Sequence, residues 1–103
     1  MLLWGMEIDA ITTRIAALAD VLRALGARGV AVYGSRARGD ARGDSDLDIV
    51  VDTDVGSEFS LIELVQIQYL LSDALGLDVR ATTRSSLGPF MRREIDRDAV
   101  RVF

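Results

Sequence analysis

The stretch Val30 to Asp52, VAVYGSRARGDARGDSDLDIVVD, limits how this chain can fold more than any other. A run containing the β-branched Val30 and Val32 stops at Gly34-Ser35, a polar segment follows, and Asp46-Leu47-Asp48 opens a second apolar run. Two short strands joined in this way bring a glycine-serine turn and two carboxylates to the same edge of a sheet. On the second strand Leu47, Ile49 and Val51 share one face and Asp46 and Asp48 the other. The two aspartate Cα atoms then lie about 6.6 Å apart.

A pair so placed can reach one or two magnesium ions, which take hard oxygen ligands and leave positions for triphosphate oxygens. The alternative is a solvated pair at a strand start. Gly34 and Ser35 favour the phosphate reading. Glycine lets a phosphate approach the backbone, and Ser35 offers a hydroxyl and an amide at the expected start of a helical turn. Arg36, Arg38 or Arg42 can add charge-assisted bonds to phosphate, or can pair with Asp40 and Asp44 within a solvated loop.

Composition narrows the chemistry further. The chain has no cysteine and no histidine, and all 12 of its basic residues are arginine. Ser-His-Asp and Cys-His catalysis, Cys/His zinc sites, lysine Schiff bases and the P-loop lysine are therefore excluded. Carboxylate, hydroxyl, arginine, backbone and a hard metal ion remain. The formal net charge of -4 argues against direct nucleic-acid binding, which needs a basic surface to release counterions. With 103 residues, half of them hydrophobic, one domain over residues 1–103 is expected. Met1 to Met6 are apolar but lack a basic leader segment, and no apolar run approaches membrane-spanning length, so a soluble, cytoplasmic protein is the expectation. Assembly into a homo-oligomer is left open.

The rest of the chain alternates helical and strand patterns. Ile8, Ile11, Ile15, Leu18, Leu22 and Leu25 recur at three- and four-residue steps and predict one amphipathic helix, ended by Gly26 or Gly29. A helical turn and a loop follow Ser35. Ser60 and Glu63 fit a capping box and Phe59 with Leu64 a hydrophobic staple, predicting a helix from Leu61 to Gly76 that buries Leu61, Leu64, Ile67, Leu71 and Ala74. Leu77–Thr82 reads as a third strand, with Asp78 and Arg80 on one face. Pro89 suits the first turn of a short helix with Phe90, Met91 and Ile95 on its apolar side, and Ala99 to Phe103 reads as a closing strand. The fold class is α/β (α+β), a mixed β-sheet packed with helices.

Gly34-Ser35, ten intervening residues and Asp46-Leu47-Asp48 match the G-S-x10-D-x-D signature of the DNA polymerase β-like nucleotidyltransferases. The first helix, the arginine-rich loop and the segment Leu87 to Phe103 extend the resemblance to the minimal nucleotidyltransferases, or MNT proteins. The resemblance implies transfer of AMP from Mg2+-bound ATP with release of pyrophosphate. Gly34 and Ser35 would hold the β- and γ-phosphates, with Arg36 beside them, and Asp46 and Asp48 would hold the metals. It also implies a HEPN-domain ribonuclease toxin as partner, with the chain acting as antitoxin by adenylylating it. One departure stands out. The position of a third family carboxylate falls on Arg80, and the nearest acid is Asp78, so either Asp78 serves as the third catalytic carboxylate or the third ligand is lost. Two functions follow, a protein adenylyltransferase and a catalytically weak antitoxin of the same fold that acts by binding. A transferase acting on a small molecule is disfavoured, because such enzymes carry an extra acceptor-binding domain.

Overall fold

A computed structural model describes residues 7–103, so the reading of Met1 to Met6 lies outside the described residues. The elements are α1 (Ile8–Ala16), α2 (Ala19–Ala24), β1 (Gly29–Tyr33), α3 (Ser35–Arg38), β2 (Leu47–Asp52), α4 (Leu61–Leu75), β3 (Val79–Thr83), a 3-10 turn (Arg84–Ser86), α5 (Pro89–Asp98) and β4 (Val100–Arg101). The four strands form one mixed sheet in the order β3-β2-β1-β4, with β2 antiparallel to β1 and parallel to β3. A parallel neighbour needs a crossover, and α4 provides it. No helix among the described residues is long and apolar enough to cross a membrane.

Alternation along the strands sorts their residues between two faces. Val30, Val32, Leu47, Ile49, Val51 and Val79 pack against Ile11, Ile15 and Leu22 of the first helices and Ile67, Leu71 and Leu75 of α4, all buried. The opposite face is thinly covered. Ile95 of α5 packs on Ala31 and Val50, with Tyr33, Leu87 and Ala99 around them. A sheet buried on one side and half-open on the other leaves Asp48 and its neighbours accessible from the α5 side.

The expected first helix is two helices. Leu18 N–H bonds to Ile15 O at 2.9 Å, a tight turn that separates α1 from α2 while keeping the apolar stripe on the core. Gly26, with φ +107°, ends α2, and a Cβ there would lie 2.9 Å from the Phe59 ring. The capping box of α4 forms as expected. Ile62 N–H donates to Ser60 Oγ, and the Glu63 carboxylate accepts from Ser60 N–H at 2.9 Å and from its hydroxyl at 2.8 Å. Phe59 and Leu64 both pack against the core.

Two expectations about buried faces need correcting. Leu61 is exposed and so is Ala74, because the inward stripe of α4 runs Leu64, Ile67, Leu71, Leu75, and both residues lie off it. Phe90 and Met91 are also exposed; α5 meets the sheet only through its second half, at Ile95. The third strand starts at Val79, with Asp78 just before it, and ends at Thr83. The closing strand is shorter than expected, though Val102 N–H to Val30 O at 2.8 Å continues its pairing.

Candidate active site

The site lies where β1 ends and β2 begins. Register pairs Tyr33 with Asp48 across the antiparallel ladder and Asp48 with Arg80 across the parallel one, so these three side chains form a row on the half-open face. Asp46 immediately precedes β2. Between the strands, Gly34 caps the four-residue helix α3 and begins with Ser35 the turn that carries the chain away from the sheet.

Gly34 has φ +78°, a conformation that side-chain-bearing residues rarely adopt, and a Cβ on it would lie 2.6 Å from Asp48 Oδ2. The expected role of this glycine was to admit a phosphate. The group it admits in the structure is the Asp48 carboxylate, packed against its backbone. Ser35 is the first residue of α3, where helix N–H groups have no partner within the helix. An incoming phosphate at this turn therefore sits beside Asp48, and two anions at that spacing require a cation between them.

In the structure the cation beside Asp48 is Arg80, on the carboxylate oxygen that does not face Gly34. Its Nε lies 3.3 Å from Asp46 Oδ2 and 3.2 Å from Asp48 Oδ1, and its Nη2 lies 3.2 Å from the same Asp48 oxygen. One guanidinium nitrogen thus contacts both carboxylates, so an oxygen of each faces the same point, and a magnesium ion there would draw them in from 3.2 and 3.3 Å to bonds of about 2.1 Å. Two hard oxygen donors converging on one point fit a magnesium ion, which commonly takes one or two carboxylates and completes its shell with water and phosphate. Among the described residues no group of three acidic side chains is placed to share one ion.

The structure does not bring Asp78 into this cluster. Its carbonyl accepts from Leu47 N–H at 2.8 Å, and it lines a separate cavity of about 380 Å3 with Asp44, Ser72 and Asp73. The position opposite Asp48 belongs to Arg80, because the parallel register is Leu47 to Val79 and Asp48 to Arg80.

Arg36 also departs from expectation. It is buried, at 3% exposure, and its guanidinium donates to Ser45 O at 2.7 and 3.2 Å and to Arg42 O and Gly43 O at 3.4 Å. A buried guanidinium must satisfy its donors. The carbonyls of the loop do so, and Arg36 becomes the peg on which residues 42–45 hang. Its effect on the site is to fix the loop that delivers Asp46. Arg38 pairs with Asp40 at 3.2 Å and with Asp98 at 3.7 Å, the loop-internal reading extended to the end of α5. Ser45 Oγ accepts from Arg42 N–H at 2.9 Å and tightens the last turn of the loop.

Sequence reading passed over Tyr33. Burial raises its phenol pKa, the Asp48 carboxylate raises it further, and Arg80 partly offsets the rise. The phenol stays protonated beside Asp48 at neutral pH. The signal was available in the alternation, since Tyr33 precedes the glycine and faces Asp48 once the two strands pair.

Residues 15–102 match the family model for the nucleotidyltransferase domain. Over 96 residues the chain is 34% identical to the protein adenylyltransferase MntA of Thermococcus cleftensis, covering 93% of both chains. It superimposes on a structure assigned as a minimal nucleotidyltransferase with a TM-score of 0.78 at 32% identity, covering 93% of this chain and 96% of that one. The fold is also similar to that of a solved complex of a tri-AMPylated Shewanella oneidensis HEPN toxin with an MNT antitoxin. That match has a TM-score of 0.66 at 16% identity and covers 90% of this chain and 71% of that one. With a family model covering most of the chain and a relative aligned over nearly its full length, the protein belongs to the nucleotidyltransferase-domain family and is a nucleotidyltransferase.

Proposed function

We propose that this nucleotidyltransferase transfers AMP from ATP to a hydroxyl of a partner protein, and that the partner is a HEPN-domain toxin that the chain restrains as an antitoxin. The observation that carries this reading is the convergence of Asp46 and Asp48 on one point beside the Gly34 turn. The name of MntA, a protein adenylyltransferase, supports the acceptor class, and the toxin–antitoxin complex of similar fold supports the partner.

In the proposed reaction the acceptor hydroxyl gives its proton to solvent water as its oxygen bonds to the α-phosphorus, and the bond to pyrophosphate breaks. Asp46 and Asp48 would hold Mg2+. Bound magnesium would neutralise the phosphate oxygens and the charge that develops on leaving pyrophosphate. Gly34 and Ser35 hold the β- and γ-phosphates, with Gly34 keeping Asp48 close to the turn. Arg36 keeps its place in the loop and acts on Asp46 through it.

Labelled ATP, Mg2+ and the product of the adjacent gene test the proposal directly. Label passes to the partner with the wild-type chain, and transfer falls by on the order of 10²- to 10³-fold in Asp46→Asn or Asp48→Asn, the scale of losing one contact to transition-state charge. Label that still transfers at wild-type rate in both variants refutes the assignment. A second reading, a binding-only antitoxin, draws on Arg80 occupying both carboxylates. It predicts a tight complex with the partner and no label.

A further inference from the structure

We infer that Arg80 is a displaceable internal cation, which neutralises Asp46 and Asp48 in the metal-free protein and yields both carboxylates to an arriving divalent ion. The inference rests on the proposed use of this pair as a metal site and adds what selects the form in which metal enters.

The topology builds the contact in. Asp48 and Arg80 are register partners on neighbouring parallel strands, 32 residues apart in sequence, so the cation is delivered by the same ladder that positions the carboxylate. Asp46 and Asp48 would otherwise repel across the mouth of the site. A guanidinium touching both, at 3.2 and 3.3 Å, removes that repulsion without any ligand.

The contact is also easily given up. β3 is an edge strand of the sheet, and the Arg80 side chain is 70% exposed. Ion pairs with so wet a partner are weak, because water screens the attraction and ordering a long arm opposes it. A divalent ion brings twice the charge to the same oxygens. Arg80 can swing into solvent while its backbone stays in the ladder, and its five donors remain at the same edge as any phosphate that enters with the ion. Free metal gains the carboxylates but must displace the guanidinium. A metal–nucleotide complex displaces it and offers it a phosphate in return, so Arg80 biases the site toward metal that arrives with a triphosphate.

Arg80→Gln keeps a polar arm, though a shorter one, and removes its charge. Binding of Mn2+ to the full chain without nucleotide, followed by loss of the free-ion electron paramagnetic resonance signal, reads the competition with no acceptor present. The expected result is Mn2+ binding about two- to fivefold tighter in Arg80→Gln than in wild type, the scale of one exposed charge contact. That gain must vanish when Asp48→Asn is added. Equal or weaker binding by Arg80→Gln, or a gain that survives Asp48→Asn, overturns the role of Arg80 and leaves the adenylyltransferase reading to the label-transfer experiment. No Mn2+ binding by either protein, with or without a non-hydrolysable ATP analogue, overturns both.

Discussion

At the start of β2, Asp48 faces Arg80; four residues on, along the same face, Asp52 meets Arg84 just beyond the end of β3. The two pairs join the same chemical groups across the same two strands. Arg84 opens the 3-10 turn with its side chain 21% exposed, donates to Asp52 at 2.6 Å and also pairs with Asp96, while Arg101 holds the second Asp52 oxygen at 3.2 Å. Burial works to lower the Arg84 pKa, and its hydrogen bonds to Asp52 and Asp96 outweigh it, leaving it above its ordinary value. Arg80 has the opposite setting, an exposed arm holding the two carboxylates of the candidate site. The difference teaches that an aspartate-arginine pair is structural or exchangeable according to what covers it. The far end of β2 is closed by α5 and β4, and the near end is left open.

The strongest way to break the comparison is at the open end. Gly34→Ala puts a Cβ 2.6 Å from Asp48 Oδ2 at a backbone of φ +78°. It is expected to cost about 1–3 kcal/mol in urea unfolding and, by moving Asp48, to lower transfer on the order of 10²-fold. Retention of full activity would mean that the close packing of Asp48 on the turn is incidental.

Next in size is the contrast itself. Arg84→Ala leaves Asp52 half-buried with Arg101 as its remaining partner, and should destabilise the fold by about 1–2 kcal/mol. Arg80→Ala should change stability by less than about 1 kcal/mol. Denaturant midpoints measured side by side check the order, and equal losses would show that coverage does not separate the two pairs.

A carboxylate away from both ends gives the smallest effect and a baseline. The Ser60 hydroxyl, then the Ser60 N–H, hold the Glu63 carboxyl below its ordinary value of 4.5. Because the folded pKa is the lower one, this contribution is complete above the unfolded pKa and is lost as pH falls through the folded value. Thermal melts below about pH 4.5 should therefore narrow the gap between wild type and Ser60→Ala, and a gap independent of pH would remove the cap as its cause.

Much of the fold was legible because it is encoded by near neighbours. Ser60 and Glu63 are one helical turn apart, Gly76 with φ +67° stops α4 where the stripe ends, and the alternation of Leu47, Ile49 and Val51 marks the buried face of β2. The break at Ala17-Leu18 was not legible, since the apolar spacing runs through it without interruption. Nor were the outward positions of Leu61, Phe90 and Met91, which depend on where each helix axis lies over the sheet.

For the site the division is similar. The sequence by itself determined the chemistry, a glycine-serine turn and two aspartates at a fixed spacing in a chain without cysteine, histidine or lysine. Only the tertiary structure decided which groups meet them. Arg36, adjacent to Ser35 in sequence, turns inward because a folded loop offers its carbonyls, while Arg80 reaches Asp48 because a parallel ladder joins residues that α4 separates along the chain. Spacing along one strand is set by covalent geometry and can be read from the sequence. The register between strands is set by packing of the whole sheet, and it is the register that places a cation, and not Asp78, against the two carboxylates.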